Sequence, residues 1–281
     1  MEIMGEHPVM TVGGQSMEGY WTMIETCTPD PFPAMQKSIS GEWRTTEDTI
    51  YTGKAVSMMM IFDEFLPARQ LIYTSQAYLL PNDDKENERL DIHHALVMTI
   101  MDDRLFLAPI KNPKKVIDLC TGSGIWAVEF ADRYQVIGND LSPTQPSLVP
   151  PNLQFIVDDV EADWLYEDTP FDLIHARYLA ESIRDMPRLL EQAYNCTKPG
   201  GWVEFHDWDT HPYSVDGSLT GTDLEHYYNV VLAAFIKQGY YTQPGKHLEQ
   251  WITDAGFVNV HVKKYRVPLG TWAKGGKNVR I

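Results

Sequence analysis

Cysteine and positive charge are scarce in this chain of 281 residues. Its three cysteines, Cys27, Cys120 and Cys196, lie far apart without metal-ligand spacing, and an odd number cannot all form disulfides. This usage is typical of a reducing compartment. Lysine and arginine number 23 against 39 aspartates and glutamates, which gives a formal net charge of −16. Such a surface repels phosphates and anionic lipid, so we expect no nucleic-acid partner and no membrane partner.

Long apolar stretches are also lacking. No uninterrupted apolar run is long enough to cross a bilayer, and no secretory signal peptide is evident. We therefore expect a cytoplasmic or nuclear protein. The apolar fraction of 43% nevertheless permits an ordinary globular core.

Two regions of the chain differ in pattern. Residues 1–69 lack steady periodicity and are interrupted by glycines and prolines, which predicts an irregular N-terminal arm and front segment. Within it, the apolar run Met58–Phe62 is predicted to pack as part of the core or of a contact surface. Residues 70–281 are predicted to form the main domain.

A glycine-containing loop is the most informative feature of that domain. A buried strand, Val116–Leu119, runs into a loop with Gly122 and Gly124 and then into an apolar helix. Glycine allows positive φ and close approach of the backbone to a ligand. Nicotinamide and flavin folds share this turn, but here an acid, Asp118, precedes the loop and a second, Asp140, ends the next strand. The second acid is placed to accept hydrogen bonds from ribose hydroxyls, so the pattern predicts an adenosyl ligand whose other end is cationic.

Strands and helices alternate from residue 116 onward, which predicts an α/β fold with a doubly wound, mostly parallel sheet and helices on both faces. Strands are predicted near 116–119, 136–139, 153–157, 171–175, 201–206 and 257–265. Helices are predicted near 84–101, 125–133, 186–196, 223–237 and 245–255. Ligands of such sheets bind at the carboxyl ends of the strands, so the loops there should face one cleft.

Several motifs follow one another in the order found in class I S-adenosylmethionine-dependent methyltransferases. They are Asp118 to Gly124, Asp140-Leu-Ser-Pro143, Asp159, Phe171-Asp-Leu-Ile-His175 and Lys198-Pro-Gly-Gly-Trp-Val-Glu204. Longer stretches, such as Leu80-Pro-Asn-Asp83, Arg89-Leu-Asp-Ile-His-His94 and Ser182-Ile-Arg-Asp185, resemble fungal methyltransferases related to regulators of secondary metabolism. The resemblance covers roughly residues 70 to 270. It implies a Rossmann-like methyltransferase sheet and S-adenosylmethionine as cofactor.

The resemblance also implies roles for individual residues. Asp159 and Val160 match the family's adenine contact, with Asp158 as the rival for the acid's role. The methionine half of the cofactor should lie against Gly122 and Gly124, and Asp118 should support the loop or the amino group. Asp140 is assigned to the ribose, with Leu141 beside it.

Two histidines compete for a catalytic role. His175 and His206 each end a predicted strand, and an imidazole can take a proton from a hydroxyl nucleophile. For each, an ordinary hydrogen-bonded histidine at a strand end is equally compatible with the sequence. A sulfonium donor is already activated, so a general base is optional. No metal site is predicted.

The predicted sheet departs from the family at its end. Class I sheets usually add an antiparallel strand after the one predicted at 257–265, and the remaining residues are too few and too rich in glycine to supply it. The sheet is therefore one strand short, completed by the N-terminal arm, or completed by a partner. An uncovered edge invites pairing, which favours a homo-oligomer or a protein partner.

Two functions remain open at this point. The first is a methyltransferase acting on a small secondary metabolite or, less favoured, a protein. The second is a methyltransferase-like regulatory subunit that works through protein complexes, or a cofactor-binding scaffold repurposed for other chemistry.

Overall fold

The computed structural model describes residues 18–27, 52–53, 80–214, 216–268 and 278–279. The predicted packing of Met58–Phe62 lies outside these residues. Among the residues described, no helix has both the length and the apolar character needed to cross a membrane.

The elements follow the predicted alternation of strands and helices. The strands are β1 (Glu18–Cys27), β2 (Thr52–Gly53), β3 (Val116–Leu119), β4 (Val136–Asp140), β5 (Leu153–Val157), β6 (Phe171–Arg177), β7 (Thr197–Trp208), β8 (Val258–Lys263), β9 (Arg266–Pro268) and β10 (Asn278–Val279). The helices are α1 (Asp84–Ile100), α2 (Ile125–Ala131), α3 (Met186–Asn195), α4 (Asp223–Lys237) and α5 (Leu248–Asp254), with a 3₁₀ turn at Pro244–Lys246.

Side-chain capping explains where two helices begin. Asp83 precedes α1 and its carboxylate accepts a hydrogen bond from the Glu86 backbone N–H. Asp185 does the same for Arg188 at the start of α3, which has proline in its first turn. Each aspartate satisfies a backbone donor that has no partner within the helix.

Five parallel strands form the sheet that carries the cleft, in the order β5-β4-β3-β6-β7. The central strands β3 and β6 are buried on both faces because helices cover each side. Ile117 and Leu119 point toward α3 and α5, whereas Val116 packs with Trp126 and Phe130 of α2. This confirms the predicted α/β, doubly wound, Rossmann-like class.

The N-terminal arm supplies the strand that the sequence could not place. β1 lies between β7 and β8 and is antiparallel to both, with Ile24 opposite Phe205 on one side and Val262 on the other. β8 reaches the parallel strands only through β1. Of the three alternatives, completion by the arm is therefore the one observed. Residues 18–27 belong to the sheet, although they fall within the predicted front segment.

Candidate functional site

The carboxyl ends of β3, β4, β5 and β6 border one cleft, which the start of α1 closes on one side. Among the predicted site residues, those that line it are Asp118, Gly122, Asp140, Leu141, Asp158, Asp159, Val160 and His175. Gly124 and His206 lie outside the lining. The cleft is also lined by Tyr178, Ser182, Ile183 and Arg184, which follow β6.

Asp140 ends β4 and ties two loops together. Its Oδ2 accepts a hydrogen bond from the Gly122 N–H at 2.9 Å, and its Oδ1 accepts from the Ser142 N–H at 3.0 Å. Burial raises the pKa of this carboxyl, and the two backbone donors oppose that rise. Each carboxylate oxygen retains acceptor capacity, so Asp140 can bind a ligand hydroxyl while it holds the glycine loop.

The two loop glycines serve different purposes. Gly122 has a φ of +58° and lines the cleft, where a Cβ would lie 2.9 Å from Leu90 Cδ1. Gly124 has a φ of +80° and precedes α2, and a Cβ there would lie 2.5 Å from Phe155 Cζ. Gly122 therefore allows Leu90 of α1 to approach the loop where it lines the cleft, whereas Gly124 allows the loop to pack on β5.

The loop after β5 carries the residues expected at the adenine. Asp158 and Asp159 are exposed at the cleft, while Val160 is 5% exposed and packs into the core beneath them. The Asp158 carboxylate accepts from the Asp159 N–H, and the Asp159 carboxylate accepts from the Glu161 N–H. Both carboxylates reach the cleft, so the choice between them stays a prediction.

Asp118 is anchored by two contacts at the end of β3. Its Oδ2 accepts from the Thr121 hydroxyl at 2.6 Å, and its Oδ1 accepts from His175 Nδ1 at 2.6 Å. Burial raises the pKa of Asp118 to about 7, because removal from water disfavours the carboxylate more than these partners favour it. A cationic group placed beside Asp118 would favour its ionised form.

Arg177 fixes the ring orientations of two histidines. Its Nε donates to His175 Nε2 and to His206 Nδ1, both at 3.1 Å. Those nitrogens are therefore acceptors, which places the imidazole protons on His175 Nδ1, facing Asp118, and on His206 Nε2, facing Glu204 Oε1 at 2.7 Å. Burial lowers the pKa of both histidines, so both rings are neutral.

These contacts bear on the predicted catalytic roles. Each ring uses its lone pair to accept from Arg177, and His175 also lies stacked on Trp126 with ring centroids 3.7 Å apart. His206 is 1% exposed and does not reach the cleft. The geometry favours an orienting role for both histidines, and catalysis by His175 or His206 stays a prediction.

One group of side chains in the described part of the chain has metal-ligand types within reach of one another. His175, Glu204 and His206 each present one such atom, all within 4.8 Å. The Arg177 guanidinium donates to both imidazoles, however, and Glu204 already accepts from the Leu107 and Ala108 N–H groups. A fixed positive charge between the two imidazoles opposes a metal cation there.

The sequence did not identify the residues that hydrogen-bond to the glycine loop from neighbouring segments. Gln145 Nε2 donates to the Gly122 carbonyl at 2.7 Å, and the Asn139 side chain accepts from the Cys120 N–H at 3.2 Å. It also left Arg177 and Glu204 without a role. The sequence did contain a pattern that indicates a role for Arg177 and for Glu204. Each lies two positions from a histidine in an otherwise apolar strand, so each shares a face of the sheet with that histidine.

Two acids, Glu181 and Asp207, lie near each other beside the segment that follows β6. Asp207 accepts from the N–H groups of Leu179 and Ala180, and burial raises its pKa to about 7. Burial and the nearby Asp207 raise the pKa of Glu181 to about 8, while the Thr210 hydroxyl donates to it at 3.2 Å.

Known proteins resemble this chain over the same region. A family described as a methyltransferase domain matches residues 92–262. Methyltransferase pytC of Aspergillus terreus is 41% identical over 208 residues, which cover 72% of this chain and 64% of that protein. Protein-methionine methyltransferase laeA of Emericella nidulans is 34% identical over 204 residues, which cover 69% of this chain and 54% of that protein. The chain spans less than two thirds of the length of either relative.

Solved structures resemble the chain more distantly. Phosphoethanolamine N-methyltransferase 2 of Haemonchus contortus, in complex with S-adenosyl-L-methionine, aligns with a TM-score of 0.44 at 18% identity, covering 67% of this chain and 40% of that one. The family match covers more than half of the chain, and fungal relatives exceed 30% identity across more than two thirds of it. The chain therefore belongs to the methyltransferase domain family, and its cofactor is S-adenosylmethionine.

Proposed function

We propose that this chain transfers the methyl group of S-adenosylmethionine to a small secondary metabolite. The observation that carries the proposal is that one cleft is lined both by the glycine loop and Asp140 and by residues after β6, Tyr178, Ser182 and Arg184. A donor held by the glycine loop and Asp140 would leave the residues after β6 for an acceptor molecule. The likeness to pytC of Aspergillus terreus, a methyltransferase by name, supports methyl transfer.

The residues of the cleft fit the cofactor. A Cβ at Gly122 would collide with Leu90, and Asp140 has acceptor capacity beyond its two backbone donors. When bound, the cofactor supplies an activated sulfonium methyl group. Asp140 would hold the ribose, Asp159 or its neighbour Asp158 the adenine, and Asp118 the cationic amino group. Alignment of the two reactants and exclusion of water then supply the rate increase, without a dedicated base.

A radiolabel experiment tests the proposal. The protein is incubated with methyl-tritiated S-adenosylmethionine and a fungal extract that has been separated into small-molecule and protein fractions. We expect label in the small-molecule fraction, and we expect Asp140→Ala to reduce it. Label in neither fraction, from protein that binds S-adenosylhomocysteine, would overturn methyl transfer while leaving cofactor binding intact.

A second candidate is a methyltransferase-like regulator that acts on proteins or through protein complexes. The likeness to laeA of Emericella nidulans, a protein-methionine methyltransferase by name, favours it. The same experiment separates the two, because label in the protein fraction alone supports this candidate and contradicts the first.

Association with a second chain is part of the proposal. β8 pairs with β1 along one side and forms the edge of the main sheet among the described residues. An edge strand presents backbone donors and acceptors that another chain can use. We expect self-association or a protein partner in the cytoplasm or nucleus. Light scattering over a concentration series tests self-association, and a constant monomer mass, with nothing captured from native extract, would contradict it.

A further inference from the structure

Arg177 is a buried cation that, among the described residues, has carboxylates such as Asp118 and Glu204 near it but none in direct contact. It is 9% exposed and lines the cleft. Its hydrogen-bond partners are the rings of His94, His175 and His206 and the Leu105 carbonyl. Taking such a charge out of water without a directly contacting anion is unfavourable.

The guanidinium also has donors left over. It carries five N–H groups, one on Nε and two on each terminal nitrogen. Nε is shared between His175 and His206, one N–H on Nη1 faces His94, and one on Nη2 donates to the Leu105 carbonyl. One N–H on each terminal nitrogen thus remains available on a side chain that borders the cleft.

The position of Arg177 indicates which part of a ligand it faces. In the register of β3 and β6, Ala176 lies opposite Leu119, so Arg177 lies beside the start of the glycine loop at Cys120. Asp140 and the Asp158–Asp159 pair, assigned to the ribose and adenine, follow β4 and β5 on the other side of β3. The amino-acid end of the cofactor therefore falls toward β6, and the one anion that it carries is an α-carboxylate.

We propose that Arg177 binds the α-carboxylate of the cofactor's methionine half. The carboxylate places an anion in direct contact with the guanidinium and accepts from the two remaining N–H donors. The neighbouring Asp118 is positioned for the amino group, so the two side chains distinguish the two charged groups of the same amino acid. His94, His175 and His206 are positioning residues, because they hold the guanidinium through neutral rings. The proposal requires cofactor binding but not methyl transfer.

Calorimetry with three ligands tests it: S-adenosylhomocysteine, its decarboxylated analogue with a 3-aminopropyl chain, and 5′-methylthioadenosine. We expect the unaltered protein to bind S-adenosylhomocysteine about ten-fold or more tighter than the decarboxylated analogue. In Arg177→Gln this ratio should approach one, while the affinity for 5′-methylthioadenosine should change by less than about two-fold. A general loss of structure would weaken all three ligands together and leave no such selective change.

Two results would overturn the proposal. One is a wild-type affinity ratio near one, which needs no variant and so does not depend on how Arg177→Gln folds. The other is a ratio that persists in folded Arg177→Gln, which would assign the carboxylate to another group. A crystal structure of the unaltered protein with S-adenosylhomocysteine is a second measurement. If the carboxylate of the bound S-adenosylhomocysteine lies beyond hydrogen-bond distance of Arg177, that result also contradicts the proposal.

Discussion

At the scale of single residues, the cleft depends on carboxylates that have two tasks each. Asp140 holds the glycine loop through Gly122 while it faces the predicted ribose position, and Asp118 holds Thr121 and His175 while it faces the amino group. A substitution therefore changes both the loop and the ligand contact. Variants that retain one of the two side-chain oxygens allow the effect on the loop to be separated from the effect on the ligand contact.

Asp140→Ala should weaken binding of S-adenosylhomocysteine by about 1 to 3 kcal/mol, the range for leaving hydrogen-bond partners unmet. The fold should survive, because Asp140 ends its strand and contributes little apolar packing. Asp140→Asn is the matched control, since its remaining oxygen can still accept, and it should lose less. Calorimetry measures both. An unchanged affinity in the alanine variant would move the ribose contact to another residue.

Glu181→Gln should make stability less dependent on pH. Because the pKa of Glu181 is raised from 4.5 to about 8, its contribution to stability is fully present below pH 4.5 and is lost as pH rises through 8. Glutamine keeps an acceptor for Thr210 and cannot ionise. We expect no gain in the free energy of unfolding at pH 4 and a gain of about 2 kcal/mol at pH 9. Urea unfolding at both values is the measurement, and parallel pH profiles would contradict it.

Some site residues could be predicted from the sequence because their role depends on neighbouring residues in the chain, and others could not. Gly122 and Asp140 leave a local signal, because loop geometry and strand-end position depend on neighbours in sequence, and both line the cleft. Arg177 leaves little, because its role depends on partners from three separate elements, such as His94 in α1 and His206 in β7. Side-chain pairing across strands distant in sequence is not encoded in any short window.

At the scale of elements, the turn between β3 and α2 is defined by its fit to β5. Gly124 lies where any side chain would meet the Phe155 ring, and Gly138 of β4 would meet the same ring, with a Cβ 2.7 Å from Phe155 Cε1. Phe155 thus fills the space that two glycines leave open. This explains why the loop can pass directly from strand to helix.

Gly124→Ala should be more destabilising than the same change at a glycine with free space. Gly124 and Gly239 both have positive φ, +80° and +87°, but a Cβ at Gly239 meets nothing within 4 Å. Backbone strain alone should cost Gly239→Ala about 1 kcal/mol. Overpacking against Phe155 should bring Gly124→Ala to about 2 to 4 kcal/mol. Urea unfolding of the two variants measures the difference, and equal losses would show that Phe155 moves aside.

The strand and helix pattern was largely readable because periodicity is a local property. The predicted strand at 153–157 and helix at 223–237 coincide with β5 and α4. The strand predicted at 201–206 is longer in the structure, since β7 begins at Thr197. β1 was not predicted as a strand, because its partners β7 and β8 are far away in sequence and the surrounding arm lacks periodicity.

At the scale of the whole molecule, β1 connects two parts of the sheet. It pairs with β7 on one side and β8 on the other, so β8 and the parallel strands share no direct ladder. The integrity of that half of the sheet therefore depends on one strand from the N-terminal arm.

Ile24→Pro should separate β8 from the rest of the sheet. Ile24 stands opposite both Phe205 and Val262, and proline in a central strand removes a ladder hydrogen bond. Ile24→Val, which leaves the backbone unchanged, is the control. Hydrogen exchange should show loss of protection at Val262 in the proline variant alone. Retained protection there would mean that β8 is held by α5 rather than by β1.

The central place of β1 also has a consequence for synthesis on the ribosome. β1 leaves the exit tunnel before any other described strand, whereas its partners Thr197–Trp208 and Val258–Lys263 lie much later in the chain. The backbone groups of β1 therefore lack their native hydrogen-bond partners, β7 and β8, while β3 to β6 emerge. Pairings between such distant segments form slowly and leave strand edges open to aggregation. Newly made chains should therefore be most vulnerable to aggregation, and most dependent on chaperones, in the interval before β8 is released.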